Sequence, residues 1–307
     1  MTAGLFFTQL LNGVQLGVLL FLLSAGLTLV FGIMNFVNLT HGSLYMMGAY
    51  FAAAAYNWSG GSFLIAGLIG VPATLVLGIV VERVALSTLY TRDHLDQVLA
   101  TFGLILFFNE LVRIIWGPNA VYMNVPDALS GTVDLFGLPY PSYRFAIIAV
   151  GLGVGAALYL LIHRTRVGML IRAGASNPAM VSALGVNIKL LNTLVFGLGA
   201  ALAGLAGLMA GPILSVQPGM GEPILILTLV VIVTGGIGSI RGAFYGALLV
   251  GIVDTIGRVF LPGLLREFFE RSIAQAAGPA IASMLIYLLM AAVLALRPQG
   301  LFPVKHG

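Results

Sequence analysis

Long apolar segments alternate with short polar ones along the whole chain. Each apolar segment has about the roughly 20 residues that an α-helix needs to cross the hydrocarbon core of a bilayer. A closed barrel is excluded, because its strands are roughly ten residues long with alternating polarity. The pattern predicts membrane-spanning helices at 8–31, 34–56, 62–82, 96–115, 144–163, 190–214 and 279–297.

The apolar segment 222–259 does not have the pattern of a single span. A run at 235–242 that reads Gly-Gly-Ile-Gly-Ser-Ile-Arg-Gly interrupts it, which leaves each flank shorter or more broken than a standard span. We predict a discontinuous or re-entrant helical pair here. The whole chain, 1–307, is then predicted to be one transmembrane domain, an all-α polytopic bundle of about eight membrane helices.

Composition supports lipid as the main solvent of this chain. Of 307 residues, 60% are hydrophobic and 8% are charged, against roughly 25% charged residues in soluble domains. The basic residues are scattered between spans, which indicates membrane topology rather than binding to nucleic acid. The chain has no cysteine and its four histidines lie far apart, so the sequence predicts no metal site.

Loop charges predict which loops face the cytoplasm. Basic residues concentrate in 164–190 and are absent from 116–142, so we predict a cytoplasmic loop at 164–190 and an external loop at 116–143. By the count of basic residues alone, the segment after 259 would also face the cytoplasm, because of Arg258, Arg266 and Arg271. We interpret 264–272 instead as an interfacial amphipathic helix with paired charges, which leaves the C-terminus cytoplasmic. The side of the N-terminus stays open.

The loop 164–190 contains the clearest helix signals of the chain. These are Ser176 or Asn177 as N-cap, Pro178 at the first helical position and Gly185 after the end. They predict a helix of about two turns, with Met180, Val181 and Leu184 on one face. Two interpretations stay open: an ordinary interhelical loop, or a helix that presents an apolar knob to a partner.

Several motifs occur in a characteristic order along the chain. They lie at 12–17, 26–42, 45–50, 204–207, 235–242 and 297–302. In these motifs the chain resembles the permease subunits of bacterial ABC importers for branched-chain amino acids, of the first-permease type. Urea and amide permeases belong to the same group. The resemblance extends over nearly the whole length.

The resemblance implies a cytoplasmic coupling helix that contacts an ATPase. Its motif is matched by Ala173, Ala179, Ala183 and Gly185, and the predicted coupling residues are Ala173, Ser176, Asn177, Pro178, Ala179, Met180, Ala183, Leu184 and Gly185. It also implies two ABC ATPase subunits that bind ATP and Mg²⁺, a second permease, either paralogous or identical, and a periplasmic solute-binding protein. The chain itself is then a non-enzymatic, multi-pass protein of the bacterial inner membrane without a cofactor of its own.

A polar cluster formed by Asn35, Asn38, Thr40 and His41 stands between two apolar segments. Such groups are costly to bury in lipid without partners, so they should face protein or water. Two interpretations stay open: a broken helix whose polar groups line a translocation pathway, or a tight turn at the interface with solvated side chains. The family commonly has Phe-Ala-His-Gly where this chain has Leu-Thr-His-Gly at 39–42, so Thr40 adds a hydroxyl beside the expected pathway.

The glycine run 235–242 is the second candidate part of the pathway. It lacks the Gly-Lys-Ser/Thr ending of a phosphate-binding loop, so no nucleotide site is predicted in this chain. Its pattern is weakly similar to that of 31–50, and a repeat of this kind would bring both interruptions to a common pathway. The predicted pathway residues are Asn35, Asn38, Thr40, His41, Gly42, Tyr45, Gly235, Gly236, Gly238 and Ser239.

Docking of the binding protein is assigned to Gln217 and Glu222, at the external start of a predicted span. The cargo is predicted to be a branched-chain or hydrophobic amino acid, with urea or a short amide as the alternative. A hypothesis of another class is a self-sufficient channel or a secondary transporter, but the spans offer few unpaired acids of the kind that ion coupling needs.

Overall fold

The computed structural model describes residues 3–135 and 137–303, and these are built almost entirely of helices. The helices are α1 (Ala3–Met34), α2 (His41–Trp58), α3 (Phe63–Val81), α4 (His94–Trp116), α5 (Ser142–Arg164), α6 (Arg166–Ser176), α7 (Pro178–Ala183), α8 (Ile188–Ala210), α9 (Gly221–Gly235), α10 (Ile240–Leu265) and α11 (Arg271–Leu296). Strands β1 (Thr132–Leu135) and β2 (Leu138–Pro141) form an antiparallel hairpin before α5. The prediction of an all-α membrane fold is confirmed.

Nine of the helices in the described residues form the bundle. Seven are long and apolar enough to cross a membrane, namely α1, α3 with its extension to Leu89, α4, α5, α8, α10 and α11. The other two, α2 and α9, have only 18 and 15 residues. The structure thus has seven full-length helices and two shorter ones where the sequence predicts about eight.

Helices α1 and α8 occupy the centre of the bundle. In each of them 78% of the most apolar window is buried, against 28% or less in the other five long helices. Large apolar side chains remain exposed on the outer helices, such as Leu64, Ile114 and Leu296. In lipid these side chains need no protein cover, so the outer surface suits a bilayer.

Close backbone contacts show how the central helices run. An added Cβ at Gly13 would meet Ile252, and one at Gly17 would meet Leu248, so α1 and α10 are antiparallel neighbours. Small residues allow this approach, which strengthens dispersion contacts in the absence of a hydrophobic force between helices.

The two ends of the bundle carry different loops. We call the end with the loop 164–190 the coupling end and the end with β1 and β2 the hairpin end. The start of α1 lies at the hairpin end, where Gly4 contacts Leu138. The segment 297–303 lies at the coupling end, where the amide of Leu301 donates to the carbonyl oxygen of Thr234 at 2.9 Å. The segment 297–303 is therefore on the side of the coupling loop, and the start of α1 is on the opposite side.

The predictions for two helical segments differ from the structure. The break at 236–239 confirms a discontinuous pair, but α10 is an uninterrupted helix of 26 residues rather than a shortened flank. The prediction of an interfacial helix at 264–272 is wrong, because α10 ends at Leu265 and α11 begins at Arg271. Between them the chain makes a turn, with the amide of Phe269 donating to the carbonyl oxygen of Leu265 at 2.8 Å.

Candidate functional site

The first interruption is a non-helical segment at 35–40 between α1 and α2. Helix α1 ends where Asn35 adopts a φ of 48°, a left-handed conformation that asparagine tolerates better than most residues. The chain then turns back into the bundle, since Nε2 of His41 lies 3.1 Å from the carbonyl oxygen of Leu23. Leu23 lies about three helical turns before the end of α1. Helix α2 therefore begins inside the bundle and not at its surface.

Three of the four polar side chains at 35–41 face protein, whereas Asn35 is exposed. Asn38, Thr40 and His41 are at most 1% exposed, and the Thr40 hydroxyl donates to the carbonyl oxygen of Thr101 at 3.2 Å. The side-chain amide of Asn38 and Nδ1 of His41 are buried without a hydrogen-bond partner in the described residues. The interpretation as a turn with solvated side chains is therefore wrong for Asn38, Thr40 and His41, and the segment is a break between α1 and α2. A role of these residues in translocation stays a prediction.

A polar stripe on α4 faces this segment, and the sequence analysis missed it. Its members are Gln97, Thr101 and Asn109, and the apolar residue Ile105 lies between the last two on the same face. The amide of Val37 donates to Oε1 of Gln97 at 3.3 Å, and Asn109 contacts Glu222. The spacing of these three polar residues at i, i+4 and i+12, on one face of a helix, was the available signal.

The second interruption, at 236–239, separates α9 from α10. Gly235 packs directly on the backbone of Gly242, and Gly236 and Gly238 have φ angles of 110° and 82°. The Ser239 hydroxyl accepts a hydrogen bond from the amide of Gly242 at 3.0 Å and so caps α10.

Both interruptions border one cavity of about 700 Å³ at the coupling end. Asn35 lines it from the first interruption, Gly238 and Ser239 from the second, and Arg172 and Ser176 from the coupling loop. The structure thus brings the two interruptions together, as the repeat hypothesis expects.

The other predicted pathway residues lie elsewhere. Thr40, His41 and Gly42 lie deeper in the bundle, and Tyr45 is a core residue with 2% exposure. Gly236 packs instead on the segment 297–303.

The segment 297–303 binds the end of α9, a contact that the sequence analysis did not foresee. The amides of Leu301 and Phe302 donate to the carbonyl oxygens of Thr234 and Gly235, each at 2.9 Å. These carbonyls belong to the last turn of α9 and have no partner within their own helix. The ring of Phe302 also stacks on Tyr245, with centroids 5.0 Å apart.

The predicted coupling helix forms as α7, with its expected signals in place. Oδ1 of Asn177 accepts from the amide of Met180 at 2.9 Å, so Asn177 is the N-cap, whereas Ser176 ends α6. Gly185 has a φ of 88°. The helix has six residues, Pro178–Ala183, and the preceding helix α6 was not predicted.

One member of the predicted apolar face of α7 points inward. Val181 is buried, whereas Met180 and Leu184 are 59% and 76% exposed. The exposed knob therefore consists of Met180 and Leu184, and Val181 anchors the helix to its own bundle. Contact of the knob with an ATPase stays a prediction.

The two residues assigned to docking lie in different environments. Gln217 is exposed next to Val216, which pairs with Val121 of the external loop. Glu222 is only partly exposed and accepts a hydrogen bond from the side chain of Asn109. The docking role of both residues stays a prediction.

A buried carboxylate, Glu82, joins the end of α3 to the start of α8. Its oxygens accept from the Tyr90 and Thr193 hydroxyls, each at 2.8 Å. Burial and the adjacent carboxylate raise the pKa of Tyr90, so the phenol stays protonated and donates. Among the described residues, no three His, Asp or Glu are close enough to hold a metal ion.

A family profile described as "Branched-chain amino acid transport system / permease component" matches residues 9–294. The chain belongs to this permease family. The resemblance drawn from the motifs is therefore confirmed, and so is the expectation of a multi-pass protein of the cytoplasmic membrane.

Curated relatives of this permease cover most of the chain. It is 29% identical to the high-affinity branched-chain amino acid transport system permease protein BraD of Pseudomonas aeruginosa, over 95% of this chain and 94% of the relative. Identity to the LivH permease of Escherichia coli K12 is 31%, over 83% of this chain and 87% of LivH. The ribose import permease RbsC of the same strain is 28% identical over 76% of this chain and 72% of RbsC. No solved structure matches the chain.

Proposed function

We propose that this permease forms the transmembrane pathway of an ATP-driven importer for branched-chain amino acids. The observation that carries the proposal is the arrangement of two helix breaks around one cavity beside α6, which leads into the predicted coupling helix α7. Discontinuous helices provide polar backbone groups inside a membrane only where they line a cavity or are covered by protein.

The cargo class follows from the relatives. BraD and LivH are named as branched-chain amino acid permeases and match most of this chain. Urea or a short amide is the second candidate, because such permeases share the motifs and Thr40 adds a hydroxyl near the first break. The match to a ribose permease supports a scaffold that can serve different solutes.

ATP and Mg²⁺ would act in separate ATPase subunits. Closure of two such subunits would move α7 as a lever through Met180 and Leu184, and would shift the bundle between outward-open and inward-open states. The pathway would run between this chain and a second permease, most simply a paralogue, and a periplasmic binding protein would deliver the cargo.

The test is affinity purification of the tagged protein in mild detergent, followed by mass spectrometry and reconstitution. We expect two ATPase subunits, a second permease and ATP-dependent import of leucine that exceeds import of urea. Import of urea alone would select the second candidate. Recovery of the chain alone, still transporting without ATP, would overturn the importer in favour of a channel or secondary carrier.

A further inference from the structure

Three helices meet around one acidic side chain inside the bundle. Gly221, at the start of α9, packs on the backbone of Gly42 in the first turn of α2. The next residue, Glu222, reaches Asn109 in the middle of α4. Glu222 therefore lies beside the buried start of α2 and below the hairpin-end surface where Gln217 is exposed.

Two oxygen atoms at the contact between Asn109 and Glu222 accept no hydrogen bond. Nδ2 of Asn109 donates to Oε1 of Glu222, which leaves Oδ1 of Asn109 and Oε2 of Glu222 as acceptors. Both atoms are buried and have no hydrogen-bond partner in the described residues. A carboxylate and an amide oxygen can only accept, so both need a donor or a cation.

The protein provides no counter-charge for this carboxylate within the part of the chain that the structure describes. The ion pairs there join Glu82 with Arg83, Glu110 with Arg113 and Asp254 with Arg258. The N-terminal end of α9 favours a negative charge at Glu222 but donates no hydrogen bond to it. A carboxylate with one buried oxygen that has neither a donor nor a counter-charge is costly, which points to a cationic ligand.

Several residues close to Asn109 and Glu222 in the sequence are apolar, as the body of a ligand with one cationic group would require. Ile105 and Phe108 precede Asn109 on α4, and Ile224 and Leu225 follow Glu222 on α9. All four belong to, or pack against, apolar clusters of the bundle. An α-ammonium group has three donors, enough for both free oxygens.

We propose that Glu222 and Asn109 bind the α-ammonium group of the amino-acid cargo between α4 and α9. This inference rests on the proposed import function and assigns a specificity site within it. Urea and short amides carry no positive charge and would gain little from Glu222, so the site would select amino acids over the second cargo class.

The experiment uses the complete transporter, reconstituted with its ATPase subunits, second permease and binding protein. Glu222→Gln keeps the size of the side chain and an acceptor for Asn109 but removes the charge, and Glu222→Asp keeps the charge. The matched control is Glu110→Gln, the same change on α4 at a side chain that is 63% exposed. Co-purification of the ATPase subunits reports assembly for each variant.

We expect Glu222→Gln to lower leucine import about tenfold or more, because a charge-assisted hydrogen bond is lost. Glu222→Asp should import more than Glu222→Gln, and Glu110→Gln should match the wild type. Wild-type rates in an assembled Glu222→Gln transporter would overturn the inference and leave the import function standing. If the wild-type transporter imports no amino acid at all, the proposed function itself fails.

A second measurement identifies the bound group. The complex without its binding protein is heated with L-leucine or with 4-methylpentanoate, which has the same carbon skeleton without the ammonium group. We expect only leucine to raise Tm, and only when Glu222 is present. Equal shifts with both compounds, or import that depends on sodium and is lost in choline chloride, would overturn the ammonium site.

Discussion

At the scale of single residues, glycines decide how closely the central helices approach. A Cβ at Gly48 of α2 would overlap the Cα of Gly204 in α8, and one at Gly207 would overlap the carbonyl oxygen of Tyr45. Neither neighbour is a flexible side chain, so the backbone itself would have to move. These contacts place α2 against α8, which keeps the buried start of α2 in position.

Gly48→Ala is therefore expected to destabilise the protein, by about 1–3 kcal/mol as for other overpacked cores. Gly103→Ala is the matched control, because an added Cβ there meets nothing within 4 Å. Alanine favours a helix more than glycine does by about 1 kcal/mol, so the control should be neutral or stabilising. Unfolding in mixed detergent micelles measures both, and equal stability of the two variants would contradict the prediction.

The buried carboxylate Glu82 gives a second prediction at this scale. Glu82→Ala leaves the Tyr90 hydroxyl without its acceptor, removes one of two acceptors of the Thr193 hydroxyl and should cost about 1–3 kcal/mol. Glu110→Ala removes a pair with Arg113 whose side chains are both more than half exposed, and should cost less than about 1 kcal/mol. The same unfolding assay compares them, and a larger loss for Glu110→Ala would refute the assignment.

At the scale of elements, short helices with defined ends carry the candidate functions. Helix α7 is too short to be stable alone and is held by its Asn177 cap and by Val181 packing on the bundle. Helix α9 is likewise completed by the segment 297–303, which donates to its last carbonyls. Each short element therefore depends on the tertiary structure for its position.

Leu184→Asp places a charge on the exposed knob of α7 and should uncouple the permease from its ATPase. Because Leu184 is 76% exposed, the substitution should leave folding intact. Val167→Asp on α6 is the control, since it places the same charge at another apolar residue of the loop, one that is 46% exposed and is not among the predicted coupling residues. ATPase stimulation by the loaded binding protein is the measurement. Normal stimulation of the Leu184→Asp transporter would contradict the coupling role of α7.

At the scale of the whole molecule, the packing of helices decides which side each loop faces. Counting basic residues places Arg258, Arg266 and Arg271 in the cytoplasm. The structure instead puts the turn after α10 at the hairpin end, because Phe260 packs on Phe6 at the start of α1, with ring centroids 6.1 Å apart. Because α10 runs antiparallel to α1, the end of α10 that carries these charges lies beside the start of α1.

The absence of cysteine from the sequence makes this topology directly testable. Single cysteines at Ser130 in the external loop, at Phe268 after α10 and at Ser182 in α7 are all at exposed positions. A membrane-impermeant maleimide added to intact cells should label the first two and not the third. Labelling of Ser182→Cys together with Phe268→Cys, or of neither, would contradict the arrangement.

The sequence alone predicts the membrane class, most of the spans, the signals that begin and end α7, and the family. These properties depend on local composition, periodicity and capping, which are readable along the chain. It also located both interruptions, at 35–41 and at 235–242, from polar and glycine residues inside apolar runs.

Three features became visible only in the folded protein: α2 begins inside the bundle, α10 is a full helix, and both interruptions border one cavity. The same holds for the contact of Glu222 with Asn109, which are 113 residues apart in sequence. Hydropathy reports how apolar a segment is but not which side chains it meets. Those contacts depend on how closely the glycines let the helices pack, and that appears only when the helices are assembled.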